Sequence, residues 1–368
     1  MHKIRNYNNR FLDQQRSRQD PLADNTVAFL FESGQSKVFR EVTQLLNKNS
    51  YQIPKGLPEE VKNYLEQSRE LPHWADDKKI REGQLFFKKH AVSLSMMLFF
   101  MSLPYDYAAA NGAQVLALSS RMNYDLDKRL IETGKYVFDV GSPQGFSTQG
   151  SAIASAQKVR LIHAAIRYHI KKSGQWSKVW GEPINQEDMA GTNLSMSLIP
   201  IRGMRKLGID ISRDTSMAYI HLWNLASYVM GVEESLLPDT AKEAFLLDKL
   251  ISERQFRPSE EGKQLTASLL AYVEKSTNPQ MKWLAPGLMR FLLGDDVANT
   301  LGIPQDSLPA ELLLNPLQNW NKLSGAIQPT FESFYLAKGL YRQNSKKINQ
   351  GKEVALNVPN RLRHQSES

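Results

Sequence analysis

The sequence predicts an all-α helical bundle, and three observations lead there. Apolar residues recur at three- and four-residue intervals through most of the chain. Few runs alternate apolar and polar residues as a half-buried strand would, and no internal repeat or low-complexity segment is visible. With 368 residues, 41% of them hydrophobic, the chain can bury a substantial core.

Taken in order, residues 1–75 read as an N-terminal arm: a polar start, a short helix around 37–47, a Pro/Gly break at 54–58 and a helix over 58–71. Residues 76–338 form the main body. Helical spacing there predicts helices at 84–103, 107–120, 122–135, 152–172, 186–199, 213–231, 239–256, 261–275, 280–293 and 315–338. Ser142-Pro143-Gln144-Gly145 reads as a turn, and Asn185 as the N-cap of a helix with Glu187 and Asp188 in its first turn. From 339 to 368 the chain is polar and basic, with scattered Asn, Gln and Lys, and reads as mostly disordered.

Composition excludes several chemistries. The absence of cysteine removes disulfides, thiolate zinc sites, iron–sulfur clusters, thiolate-ligated or covalently attached heme, and cysteine nucleophiles. Any metal must be held by histidine, carboxylate or a macrocycle. The net charge of +8 is concentrated at the ends: five basic against two acidic residues in 1–20, and six against two in 340–368. Such ends are solubilising tails more often than nucleic-acid arms, and no groove-reading motif accompanies them. They are equally compatible with a weak attraction to anionic membrane surfaces. The first 20 residues lack an apolar signal core, which predicts a cytoplasmic chain. The most apolar run, AVSLSMMLFFMSL at 91–103, falls short of the roughly 18–20 residues needed to cross a bilayer and reads as buried helix.

The segment AQKVRLIHAAIRYHI at 156–170 is the most informative. On a helix Arg160 and Arg167 lie about 60° and 40° from His163, so the three form one polar stripe. Val159, Leu161, Ile162, Ala164, Ala165, Ile166 and Ile170 surround it. Two guanidiniums in such a setting require a compensating anion. Heme propionates would meet that need, with a neutral imidazole as axial ligand. On spacing alone, however, a hydrogen-bonded structural histidine is the commoner outcome. A second stripe lies upstream, where Arg129 and Thr133 form an i, i+4 pair that by itself is an ordinary solvated helix face.

Together, Arg129, Thr133 and then Arg160-x-x-His163-x-x-x-Arg167 resemble the signature of the rubber oxygenase (latex-clearing protein) and MpaB-type oxygenase family of heme-b proteins. The resemblance continues through Gly181 to Thr192, Tyr219-x-x-x-Trp223, Met230 to Pro238, Leu288 to Gly294 and Leu301 to Pro304, so it spans roughly 80–305. It implies a helical bundle with a globin-like core enclosing a non-covalent heme b, with His163 as proximal ligand of the iron. Arg160 and Arg167 would hold the heme or its propionates, and Arg129 and Thr133 would line the pocket. The implied reaction is O2-dependent cleavage or oxidation of a C=C bond in an apolar, isoprenoid- or lipid-like small molecule.

Two positions depart from the family pattern. Rubber-cleaving members can carry a distal lysine between that arginine and threonine, where this chain has Glu132. Lys128 and Lys135 are the nearest alternatives on that face. A buried Glu132 would be an acid or base beside the iron. The family's glutamate, about sixteen residues before the arginine, falls at Ala113, and Asp106 is the nearest upstream acid. Other readings stay open: a di-metal oxygenase, for which Glu70-Leu-Pro-His73 is the only Glu-x-x-His spacing and is broken by Pro72, and a heme-binding or apolar-ligand-binding helical protein without oxygenase activity. His90 and His221 are reserve ligands. Sequence sets no oligomeric state.

Overall fold

The computed structural model describes residues 5–119, 126–276, 284–305, 333–349 and 351–352. Among them every extended element is helical, and the sole β pairing is an isolated antiparallel bridge between Ala109 and Phe256. The expected all-α class is what the chain adopts.

The N-terminal region is more structured than its polar composition suggests. It forms α1 (Asn9–Arg16), α2 (Pro21–Glu32), α3 (Ser36–Leu45) and α4 (Glu59–Gln67). Sequence reading anticipated α3 and α4 but neither of the first two. The Asn8 side chain caps α1 by accepting from Phe11 N–H, and Asp20 caps α2 ahead of Pro21 in the first turn. Helix α1 has no wide apolar stripe, with only Leu12 and Gln15 buried. Ion pairs hold the segment to the body instead: Arg5 with Asp239 at 2.8 Å, Asp13 with Arg254 at 2.7 Å, Arg16 with Asp188 at 3.0 Å and Arg18 with Glu233 at 2.8 Å. A period search cannot detect a helix that is fastened by charge.

The body opens with α5 (Asp77–Met97), seven residues earlier than predicted because the Asp76 side chain accepts from Lys78 and Lys79 N–H. A π turn, Leu98–Ser102, passes it into α6 (Leu103–Tyr107). The apolar run 91–103 is therefore helical, with Ala91, Leu94 and Met97 fully covered, Met96 exposed and most of the rest half-buried. Then follow α7 (Ala110–Leu118), α8 (Leu126–Gly141) and α9 (Ala152–Ser173), the last ended by Gly174 at φ 67°, where a left-handed residue is needed. Asn185 caps α10 (Gln186–Lys206) as predicted, accepting from Asp188 N–H at 3.0 Å. The chain continues through α11 (Arg213–Val229), α12 (Ala241–Gln255), α13 (Glu260–Ser276), α14 (Leu284–Leu293) and α15 (Asp295–Thr300).

Helix α16 (Ser333–Ile348) runs ten residues into the stretch read from composition as disordered. Phe334 and Ala337 anchor it: the Phe334 ring lies 6.3 Å from Phe87 of α5 and 6.0 Å from Phe138 of α8. Residues 315–332 of the predicted helix 315–338, and the tail 353–368, lie outside the described residues.

Helices α5 and α11 cross closely at the centre, where a Cβ on Gly83 would meet the Ala218 carbonyl oxygen at 2.7 Å. The main apolar core gathers around them from α8, α10 and α12. A second core joins α2, α3 and α4 to α9, and a third joins α6 and α7 to α13, α14 and α15. Each fully buried Leu, Ile or Phe in these cores contributes about 1.5–3 kcal/mol of transfer free energy. Helix α9 faces both of the first two cores, which places its side chains on two different surroundings. Among the described residues no helix is long and apolar enough to cross a membrane.

Candidate functional site

Helix α9 forms where the sequence predicts it, and its face Val159, Ile162, His163 and Ile166 lines a cavity of about 320 Å³. That volume lies within the usual range of ligand pockets. On the neighbouring wall α8 presents Arg129, Glu132, Thr133 and Tyr136, spaced i, i+3, i+4 and i+7 so that all four share one face. His163 and the Arg129–Thr133 stripe, some 30 residues apart in sequence, thus line one cavity. Helix α11 adds Trp223, Ser227 and Met230, and α10 adds Met189, Thr192, Asn193 and Met196.

Several polar groups in these walls are buried without a hydrogen-bond partner among the described residues. Arg129 is 9% exposed; its Nη2 donates to the Tyr107 hydroxyl at 2.5 Å, while Nη1 has no partner. The Tyr136 hydroxyl and Trp223 Nε1 are likewise unsatisfied, with their rings 5.9 Å apart. An unmet buried donor costs about 1–3 kcal/mol, so three of them around one cavity suit a ligand that accepts. Burial pushes the Tyr107 and Tyr136 hydroxyls up from their ordinary range, so both remain protonated donors. Glu132 is buried, 8% exposed, in the same wall.

Arg160 and Arg167 are not among the cavity-lining residues. The anion that sequence reasoning required for them is supplied by the chain itself. Arg160 makes a bidentate pair with Asp20, Nε to Oδ2 at 2.6 Å and Nη2 to Oδ1 at 2.7 Å, and Nη1 donates to the Val229 carbonyl at 3.0 Å. Arg167, 2% exposed, donates from Nε to Asp24 Oδ1 at 2.6 Å. Asp20 and Asp24 both belong to the α2 start that the period search missed. The signal present was Asp20-Pro21 followed by Asp24, an N-cap with proline in the first turn and acid in the next.

Other singled-out residues are spread more widely. Lys135 turns away to Asp139 at 2.5 Å, and neither it nor Lys128 lines the cavity. His90 packs against Phe86, and His221 Nε2 accepts from Asp76 N–H at 3.1 Å; burial drives both imidazoles down to about 4, so both are neutral at pH 7. His169 stacks near Phe31 and Tyr168 on the side of α9 toward α2. Glu70 and His73 are exposed in the connection after α4. Among the described residues no group of three His, Cys, Asp or Glu side chains could hold a bare metal ion.

The cavity lining also holds carboxylates. Asp106 of α6, Asp188 of α10 and Asp248 of α12 all line the cavity, and so does Ala113. Asp188 pairs with Arg16 at 3.0 Å and Asp248 with Arg202 at 2.6 Å. Asp106 accepts from Ser195 Oγ at 2.8 Å and pairs with no cation among the described residues. Burial, with Asp188 and Asp248 adding to it, pushes its carboxyl up to about 7.

With that geometry in hand, three similarities were found. Residues 90–320 match the family model described as ER-bound oxygenase mpaB/B'/Rubber oxygenase, catalytic domain. A rubber oxygenase of Streptomyces sp. (strain K30) is 25% identical over 305 residues, covering 80% of this chain and 73% of the relative. A solved structure of latex clearing protein LCP in the closed state superposes with a TM-score of 0.80 at 22% identity, covering 94% of this chain and 95% of that one.

Proposed function

Because the chain belongs to the mpaB/B'/rubber oxygenase catalytic-domain family, whose model spans most of its length, we propose that it is a heme-b-dependent oxygenase with a globin-like core. Its substrate in this reading is an apolar, isoprenoid- or lipid-like molecule with a C=C bond, and its co-substrate is O2. The observation that carries the reading is the single cavity on which His163, Arg129, Glu132 and Thr133 converge.

The residues present suit a flat apolar macrocycle with carboxylate arms. His163 reaches the cavity from a helix packed on both flanks, and its imidazole would hold the heme iron. Arg129 brings a buried guanidinium with one unsatisfied nitrogen, which answers a carboxylate there. When bound, the heme supplies activation of O2 and oxidative cleavage or oxidation of the double bond to carbonyl products. The protein's part is positional. Val159, Ile162, Ile166 and Met230 exclude water and align an apolar chain. Thr133 offers a hydroxyl one turn from Arg129, and Glu132 a carboxyl for proton handling between them. Arg160 and Arg167 serve the cofactor at one remove, by clamping α9 to Asp20 and Asp24 one turn before and after His163.

The purified protein is expected to show a Soret band with heme extractable into acidified organic solvent at one equivalent per chain. Incubation with short isoprenoids or unsaturated lipids under 18O2 is expected to yield labelled carbonyl products. Absence of heme would end the cofactor assignment, whereas heme with no label in any product would leave a binding protein in place of an oxygenase.

A further inference from the structure

The polar groups that line the cavity differ in sign from one set of helices to another. On the α8 and α11 side the unmet groups are donors: Arg129 Nη1, Tyr136 Oη and Trp223 Nε1. On the α6, α10 and α12 side stand three carboxylates. Two of these are neutralised in place, Asp188 by Arg16 and Asp248 by Arg202, with the Tyr105 hydroxyl donating to Asp248 at 2.8 Å. Asp106 is different. One of its oxygens accepts from Ser195; the other is left to the cavity, with no cation beside it among the described residues. Thr192 and Ser252 line the cavity as well, Thr192 exposed and Ser252 half-buried.

An apolar substrate bound in such a cavity places its polar end against a polar group that the protein has left without a partner. We infer that the Asp106 side receives the head of the ligand, and that this head is a hydrogen-bond donor, an alcohol or an amine, and not a carboxylate or a bare hydrocarbon end. The inference rests on the cavity being the substrate site proposed above. Three features support it. The free Asp106 oxygen can only accept when ionised, so it needs a donor opposite. A ligand carboxylate would bring a further negative charge to a buried acid that already feels Asp188 and Asp248 and has no cation of its own among the described residues. A hydrocarbon end would leave Asp106 desolvated with a single partner, which is costly. The neighbouring Tyr105 does not relieve it, since its hydroxyl donates to Asp248.

The test uses the full-length holoprotein at pH 8, where Asp106 is mostly ionised, and a saturated ten-carbon set that turnover cannot consume: decan-1-ol, decylamine, decanoic acid and decane. Binding is measured by isothermal titration calorimetry. Decan-1-ol and decylamine are expected to bind at least tenfold more tightly than decanoic acid and decane. Asp106→Asn keeps the size and the Ser195 contact but removes the charge; it is expected to weaken decylamine tenfold and bring decanoic acid level with decan-1-ol. Decanoic acid binding as tightly as the alcohol in the wild-type protein overturns the inference, as does binding of none of the four. An unchanged ranking in a folded Asp106→Asn protein also overturns it. The wild-type series decides the head-group class even where the variant fails to fold. A missing Soret band with the ranking intact removes the cofactor assignment alone.

Discussion

The two flanks of α9 pose opposite problems to the fold. On one, Val159, Ile162, His163 and Ile166 face an open cavity; on the other, Arg160 and Arg167 are locked into Asp20 and Asp24 and Leu161 is packed at 1% exposure. On the clamped flank each guanidinium is paired with a carboxylate of α2, Arg160 with Asp20 and Arg167 with Asp24, which fixes α9 against that helix. The cavity flank keeps donors unsatisfied and space unfilled, which costs stability and leaves room for a ligand. A site is placed precisely when its support is over-determined on the side away from the chemistry.

The largest effect expected from this contrast is functional. His163→Ala is predicted to lose the Soret band or shift it drastically, whereas His169→Ala, about 120° around the same helix, leaves it unchanged; an unaltered spectrum in His163→Ala removes the ligand assignment. On the clamped flank, Asp20→Asn leaves Arg160 buried without its bidentate partner and is expected to cost about 3–5 kcal/mol, read from the urea midpoint. The double variant Asp20→Asn with Arg160→Met should recover part of that loss, since it removes the stranded charge.

Packing separates the flanks next. Leu161→Ala is expected to destabilise by about 2–5 kcal/mol, because its surroundings in the α2–α4 core cannot collapse. Ile162→Val, on the cavity, should cost no more than about 0.5–1.5 kcal/mol and should show itself in ligand affinity. A Leu161→Ala cost as small as that of Ile162→Val would erase the distinction.

The smallest effect is in the pH profile. His90 and His221 are held at about 4 by burial, below an unfolded value near 6.5, so the unfolded chain binds protons first as pH falls. Their contribution is complete above about 6.5 and is lost between there and 4. Asp106 works oppositely: raised to about 7, it is protonated in the folded state while still ionised in the unfolded one, and so gains stability over the same descent. His221→Gln, which keeps an acceptor for Asp76 N–H, is therefore predicted to flatten the fall in Tm between pH 6.5 and 4, and Asp106→Asn to steepen it.

Much of the fold was legible because it depends on local spacing. The ranges of α7, α9, α11 and α13 follow from apolar period, and the start of α10 from Asn185 alone. Where one polar cap or a few anchors decide, the boundaries moved: Asp76 started α5 early, and Phe334 and Ala337 extended α16. The meeting of Arg129 and Thr133 with His163 was readable only as a family pattern, since no local rule links residues 30 apart.

By itself the sequence determined most helices of the body, that one buried helix presents a histidine between two arginines, and which family the chain resembles. Tertiary structure decided what those arginines face. Asp20 and Asp24 lie 140 and 143 residues from their partners, and a capping acid in a polar arm gives no local sign of its distant counter-ion. It also decided that, among the described residues, Asp106 stands in the cavity without a cation while Asp188 and Asp248 have theirs. Charge pairing is a property of distance in space, and spacing along the chain records it only within a few residues.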